Sequence, residues 1–314
     1  MSILIVGGGS IGKRHLKNLS KISSENLYCF KRNTNPEFEK KYNCKIITTK
    51  KQFYSLSPLL VIVCNPSSLH AEWVKLANET KSHLFVEKPF VTSQDQLNFV
   101  KNNWANDRVF FIGFMLRYHP AVKKIKTLLD NKKIGKIFSA RFEFGSWLPN
   151  WHPYEDYKKS YASKKTLGGG VINTINHELD LILYFFGKPI NIMTTKSNVG
   201  DLDIEVEDIA ESIFSFQDKI VSLHIDFLQK DYDRNIKILG SLGKIIWNWH
   251  ENEIKIILHD RENEYINIGE VDINQLYIDE MVDFIKLVKS MQINHNLDFK
   301  YACSNTKIML KMHK

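Results

Sequence analysis

The chain opens on an apolar run, Ser2-Ile3-Leu4-Ile5-Val6, which breaks into Gly7-Gly8-Gly9-Ser10-Ile11-Gly12. Ile11, His15, Leu16 and Leu19 then recur at helical spacing. Further apolar runs at 27–30, 59–64, 84–86 and 109–112 read as strands, and 69–78 and 94–103 read as helices between them. Alternation of this kind predicts a mainly parallel sheet. Beyond residue 136 the pattern changes. Residues 136–145 alternate, and 209–216 and 220–227 form a pair separated by Gln217-Asp218-Lys219, as in an antiparallel hairpin with one packed face. Shorter strands are expected at 236–239, 244–249, 254–258 and 265–268, and helices at 274–290 and 301–311. An apolar helix passes through Ile182, Leu183, Tyr184 and Phe186 and stops near Gly187-Lys188-Pro189. The acidic run 201–208 alternates like a strand with a solvated face; it has no ligand spacing for a metal.

The glycines at 7, 9 and 12 form G-x-G-x-x-G between a strand and a helix, the context in which this motif binds a dinucleotide. The first glycine permits the turn, the second lets backbone approach a pyrophosphate, and the third lets helix and strand pack closely. The phosphates would rest on the N–H groups of the helix start, at Ser10, Ile11 and Gly12. The motif therefore predicts a Rossmann domain, with its ligand beyond the carboxyl ends of the strands, where Gly7, Asn65, Glu87 and Gly113 fall. An acidic residue after the second strand would bind the ribose hydroxyls of NAD; this chain has Lys31-Arg32-Asn33. A guanidinium can hold a 2′-phosphate, so Arg32 favours NADP, while NAD stays open because basic residues also stack on adenine.

Two further segments carry candidate chemistry. In Glu87-Lys88-Pro89 the proline restricts Lys88, whose charge can hold a substrate hydroxyl. In the segment 167–180, three glycines precede Asn173, His177 and Asp180. Asn173 and His177, four apart, are expected on one helix face. His177 titrates in the range needed to exchange a proton with a hydroxyl, and Asp180 is placed to orient it. Residues 147–157, rich in Trp, Tyr and His and including Tyr154, read as a loop over a ligand, with Tyr161 and nearby lysines reaching hydroxyls or phosphate. Arg117 can anchor an anionic substrate or brace the structure.

The ordered set of these motifs resembles the glucose–fructose oxidoreductase, inositol dehydrogenase and rhizopine-catabolism family. The set comprises the opening glycines, Asn65-Pro66 with His70, Glu87-Lys88-Pro89, Gly113-Phe114-Met115-Leu116-Arg117-Tyr118-His119-Pro120, and the triple glycine with His177 and Asp180. The resemblance implies an α/β protein: an N-terminal Rossmann domain, placed at 1–119, and a C-terminal α/β domain with an open, mostly antiparallel sheet, placed at 120–314. It implies an NAD(P)-dependent oxidoreductase acting on a sugar or nucleotide sugar, with Lys88 and His177 catalytic. Asn65, Glu87 and Lys88 would join the glycines and Arg32 at the cofactor, and Arg117, Tyr161 and Asn173 would join Lys88 and His177 at the substrate. It also implies a homo-oligomer, the open sheet face being the expected interface. One position departs from the family: the aspartate upstream of the histidine falls at Asn173 or Thr174, which hydrogen-bond but carry no charge. A non-catalytic dinucleotide-binding sensor is the alternative this departure leaves.

Size and charge narrow the picture. With 314 residues the chain can build two domains. The net charge of +8 suits an anionic ligand, but the basic pairs are scattered and no nucleic-acid-reading motif accompanies them. The four cysteines, Cys29, Cys44, Cys64 and Cys303, are far apart and read as buried free thiols. No apolar run reaches membrane-spanning length and no leader pattern is visible, so a cytoplasmic protein without membrane or nucleic-acid partners is expected.

Overall fold

A computed structural model describes residues 2–153 and 155–314; Tyr154, counted above among the loop aromatics, lies outside them. The chain forms two compact units, Met1–Met115 with Ile273–Lys307, and Leu116–Asp272 with Ile308–Lys314.

The first unit is built on six parallel strands: β1 (Ser2–Val6), β2 (Asn26–Phe30), β3 (Lys45–Ile47), β4 (Leu60–Val63), β5 (His83–Glu87) and β6 (Phe110–Gly113). Their order is β3-β2-β1-β4-β5-β6. The direction of winding reverses between β1 and β4, the switch point where ligands of such sheets bind. Helices α1 (Ser10–Ile22), α2 (Pro36–Tyr42), α3 (Lys50–Leu56), α4 (His70–Glu79) and α5 (Gln94–Asn103) connect the strands. β1, β4 and β5 are buried along nearly their whole length, which is why they appear in sequence as unbroken apolar runs. The short helices are set by their caps. Asn35 accepts from the Phe38 N–H ahead of Pro36, Thr49 and Gln52 form a capping box, and Ser93 accepts from the Gln96 N–H.

The second unit holds α6 (Pro120–Asp130), β7 (Ile137–Gly145), α7 (Val171–Thr174), α8 (His177–Phe186) and seven more strands. These are β8 (Asn191–Ser197), β9 (Ile209–Ser215), β10 (Ile220–Asp226), β11 (Asp233–Gly240), β12 (Gly243–Asn248), β13 (Glu253–Leu258) and β14 (Glu264–Asn267). They form one sheet, β14-β13-β12-β11-β7-β10-β9-β8, antiparallel except between β7 and β10. One face buries Phe142, Phe214, Leu223, Ile238 and Trp247. The other exposes Met193, Ile213, Ile220 and Tyr265 among polar neighbours, giving the expected alternation. The expected strand at 201–208 does not form. Asn198 Nδ2 donates to the Ile204 and Val206 carbonyls, and the Asp208 carboxylate accepts from the N–H groups of Val199 and Gly200, so local turns use the groups a ladder would need. Its acidic side chains are also paired: Lys158 with Asp203 at 2.9 Å and Lys164 with Glu205 at 2.6 Å.

The C-terminal segment differs from the expected division at 119/120. Helix α9 (Ile273–Lys289) belongs with the first unit, as does most of α10 (Phe299–Met312). Phe284 packs edge-on to Phe85 at 5.7 Å, Arg14 lies 4.5 Å over the Tyr277 ring, and Asn18 and Asn274 exchange amide hydrogen bonds. The Ile112 N–H donates to the Leu297 carbonyl at 3.0 Å, covering the sheet edge at β6. Periodicity revealed both helices but not which core they complete. All four cysteines are free and buried, and burial pushes the Cys29 thiol up to about 12. No helix among the described residues is long and apolar enough to cross a membrane.

Candidate active site

In the first unit the glycine turn has the shape its spacing predicts. Gly7 has φ +104°, and a Cβ there would lie 2.9 Å from the Asn65 N. A Cβ on Gly12 would lie 2.0 Å from the Gly7 carbonyl oxygen, so only glycine lets α1 approach β1 this closely. A Cβ on Gly9 would meet nothing within 4 Å. Gly9 is also the N-cap of α1, with no side chain capping the helix and no acidic residue in its first turn. Open space above uncapped N–H groups at Ser10, Ile11 and Gly12, at the switch point of the sheet, fits a dinucleotide pyrophosphate.

Beside this turn, Arg32 is exposed. Sequence reasoning gave Arg32 the discriminating role; the side chain that lies against the glycine turn is that of its neighbour Lys31. The Lys31 stem lies over Gly8, its Cδ 2.8 Å from where a Cβ would stand, and its ammonium sits 3.8 Å from the Phe38 ring centroid. The signal for Lys31 was its position, one residue past β2.

Glu87 and Lys88 end the neighbouring strand β5. The Glu87 carboxylate, expected among the cofactor contacts, meets the buried His15 at 2.7 Å and so ties α1 to the end of β5. His70 fastens the turn that follows. Its Nε2 lies 2.9 Å from the Asn65 carbonyl oxygen and its Nδ1 3.0 Å from that of Pro89; burial pulls its pKa down. Half-buried Lys88 precedes a cis peptide bond to Pro89.

In the second unit, Asn173 and His177 do not share one continuous helix. α7 ends at Thr174, Ile175 takes φ −95° and ψ 60°, and α8 begins at His177 after the N-cap Asn176. Spacing arguments assume an unbroken helix, and Ile175 breaks it. His177, half-buried, therefore stands at the head of α8. The first turn of α8 is gripped from two sides. Arg117 donates from Nε to Asp180 Oδ2 at 2.9 Å and from Nη2 to Oδ1 at 2.8 Å. Arg234 donates from Nε to Glu178 Oε1 at 2.7 Å and from Nη1 to the Tyr232 hydroxyl at 2.6 Å. Both ion pairs are buried. They put two carboxylates at a helix N-terminus, where the dipole favours them. Arg117 thus braces α8 rather than presenting its guanidinium for an anionic substrate. Asn173 is also engaged internally, its Nδ2 donating to the Gly169 carbonyl at 3.0 Å and its Oδ1 lying 2.9 Å from His313 Nε2.

The aromatic loop lines a cavity of about 480 Å³ with Phe144, Ser146, Trp147, Asn150, Trp151, His152, Lys230 and Tyr232. This is the size of a small-molecule site. Lys230, which sequence reasoning missed, holds its ammonium 2.9 Å from the Trp147 ring centroid. Tyr161 lies outside this cavity. Its carbonyl oxygen would be 2.5 Å from a Cβ on Gly169, so the residue helps to shape the glycine turn. Of the lysines near Tyr161, Lys158 and Lys164 are paired with acidic residues as described.

Comparison with known proteins agrees with this architecture. The family model for the oxidoreductase family, NAD-binding Rossmann fold, matches residues 1–113, and that for the GFO/IDH/MocA C-terminal domain matches residues 122–246. Myo-inositol 2-dehydrogenase of Thermotoga maritima is 26% identical over 312 residues, covering 92% of this chain and 89% of its own. Glucose-6-phosphate 3-dehydrogenase of Bacillus subtilis is 24% identical over 227 residues, 69% of this chain and 64% of its own. The solved structure of a levoglucosan dehydrogenase in complex with NADH superposes with a TM-score of 0.87 at 17% identity, covering 100% of this chain and 96% of that one. A dinucleotide turn of the right shape, a second unit with the matching sheet, and family models for both halves lead to one conclusion: the chain belongs to the GFO/IDH/MocA family of oxidoreductases.

Proposed function

We propose that the protein is an NAD(P)-dependent dehydrogenase that moves hydride to or from a sugar or nucleotide sugar. The observation that carries this reading is the rigid mounting of His177 at the head of α8 by two buried arginine–carboxylate pairs, in a chain whose other unit holds a pyrophosphate-shaped glycine turn. The relatives named above are dehydrogenases of a cyclitol, a sugar phosphate and an anhydrosugar. The cavity beside the aromatic loop supports a ligand of that class. Tryptophan faces suit the C–H face of a pyranose, Ser146 and Asn150 offer hydrogen bonds, and Lys230 suits a phosphate or carboxylate. The absence of any carboxylate among residues 31–35 supports NADP over NAD.

In the oxidation direction the Lys88 ammonium donates a hydrogen bond to the substrate hydroxyl oxygen and stabilises its developing negative charge. The His177 imidazole accepts the hydroxyl proton. The dinucleotide, when bound, takes up or supplies the hydride. In reduction the imidazolium returns the proton. The protein is further proposed to assemble as a homo-oligomer through the open face of the eight-stranded sheet; a monomer in sedimentation analysis would remove that element.

The test is nicotinamide absorbance with NAD(H) and NADP(H) across sugars, sugar phosphates and nucleotide sugars. His177→Ala is expected to lower kcat by roughly 10²–10⁴-fold without changing dinucleotide affinity. Verified dinucleotide binding with no substrate-dependent change over a broad panel would favour a dinucleotide-binding sensor instead.

A further inference from the structure

His313 has no part in the chemistry above, yet its ring contacts the segment that precedes His177 through Asn173. The Lys196 ammonium lies 2.6 Å from the His313 carbonyl oxygen and 3.3 Å from its Nδ1. An ammonium only donates, so Nδ1 is the acceptor and the ring's single proton sits on Nε2. That Nε2–H donates to Asn173 Oδ1 at 2.9 Å. The Asn173 amide is thereby oriented, and its Nδ2 donates to the Gly169 carbonyl at 3.0 Å. Burial, and then the nearby Lys196 charge, hold the His313 ring down at about 4, which keeps it neutral and this tautomer in place.

Asn173 holds one side of the glycine turn, and the rest of the structure fixes the other. A Cβ on Gly169 would meet the carbonyl oxygens of Tyr161 and Ala162 at 2.5 Å, and one on Gly170 would meet the Glu207 carboxylate at 2.5 Å. The body of α8 is fixed independently by the two arginine pairs. Between these anchors lie α7 and the break at Ile175 and Asn176. The Asn173 side chain of α7 reaches both the turn and His313, just past the end of α10.

We infer that His313 is a positioning residue: oriented by Lys196, it holds Asn173 and through it the glycine turn and short helix that lead into His177. The link to activity rests on the proposed role of His177 in proton transfer; the structural link does not. It also explains how an uncharged residue serves here. An amide presents an acceptor to His313 and a donor to Gly169 at once, whereas an ionised carboxylate only accepts and has no hydrogen to donate to the Gly169 carbonyl.

The experiment compares wild type, His313→Ala and His313→Gln by hydrogen–deuterium exchange and steady-state kinetics. Glutamine keeps an amide donor in place of Nε2–H. His313→Ala is expected to speed exchange in the 168–177 segment roughly tenfold, with peptides of residues 2–115 unchanged, and His313→Gln to restore most of the protection. In turnover, kcat should fall roughly tenfold for His313→Ala, with dinucleotide KM within about twofold, and recover in the glutamine variant. Unchanged exchange at 168–177 in a folded His313→Ala protein would overturn the inference, as would a loss that glutamine does not rescue. If exchange responds as expected but no protein turns over any sugar, His313 keeps its positioning role and the proton-transfer role of His177 fails.

Discussion

Gly9 and Gly12 stand three residues apart in one turn, and their surroundings predict opposite outcomes for the same substitution. A methyl on Gly12 would lie 2.0 Å from the Gly7 carbonyl oxygen, well inside contact distance, and the obstacle is backbone rather than a side chain that can swing away. Alanine's better helix propensity offsets about 1 kcal/mol, while overpacking typically costs about 1–3 kcal/mol. The contact is severe enough to place Gly12→Ala at the upper end, a net loss of about 2 kcal/mol. At roughly 2–4 °C per kcal/mol for a chain of this size, the melting temperature should fall by about 4–8 °C. A methyl on Gly9 meets nothing within 4 Å, and the backbone there, φ −73° and ψ −168°, suits any residue. Gly9→Ala should therefore change stability by less than about 1 kcal/mol. On the proposed placement of the dinucleotide it would, however, occupy the space between a pyrophosphate and the N–H groups of α1. Losing one charge-assisted hydrogen bond, about 1.5–3 kcal/mol, weakens dinucleotide binding roughly 10- to 150-fold. Thermal melts and calorimetric titration with NADH and NADPH read both quantities on both variants. Wild-type affinity in Gly9→Ala would refute the placement of the pyrophosphate, and a wild-type melt for Gly12→Ala would refute the packing argument.

Two other sites give equally specific expectations. Arg117→Met leaves the Asp180 carboxylate buried without its guanidinium and should cost about 3–5 kcal/mol in urea unfolding. Adding Asp180→Leu should recover part of that loss, and strictly additive losses would show that the pair is not coupled. His224 lies between Asp226, 2.8 Å away, and Glu211, 2.5 Å away, and chiefly the Asp226 hydrogen bond raises its pKa from 6.5 to about 9. A raised folded-state pKa means stabilisation that is full below about pH 6.5 and is lost as the pH climbs through about 9. Stability measured across that interval should decline in wild type and more weakly in His224→Gln; parallel curves would contradict the assignment.

Where one pattern dominated a segment, its structure was legible in the sequence. The buried, mostly apolar strands β1, β4 and β5 and the alternating strands β9 to β13 announced a doubly covered sheet and a one-sided one because burial on two faces or one writes a different period. The glycine motif was legible because Gly7 and Gly12 answer steric demands, while Gly9 leaves open space at the helix start. The short elements were harder to read. β3 spans only Lys45–Ile47, and α2 and α3 each bury a single residue, Phe38 and Phe53, so no periodicity could accumulate. Sequence singled out His177 but not the contacts that hold the helix it heads. Arg117 and Asp180 are sixty-three positions apart, Arg234 and Glu178 fifty-six, and His313 and Asn173 one hundred and forty. Such partnerships are tertiary facts that leave no local trace. Spacing even misled at Asn173 and His177, since four residues mean one face only while the helix continues.

The return of residues 273–307 to the first unit bears on how the protein is made. A chain emerging from the ribosome would display β1 to β6 and the α1 face bearing Arg14, His15 and Asn18 long before Tyr277, Asn274 and Phe284 exist to cover them. At about 5–20 residues per second, synthesis of the intervening stretch takes roughly 8–30 s. During that time the edge at β6 also lacks Leu297. The nascent N-terminal segment is therefore a natural client for a chaperone. A gene fragment cut at the apparent domain boundary would yield an incomplete, aggregation-prone product rather than an autonomous nucleotide-binding module.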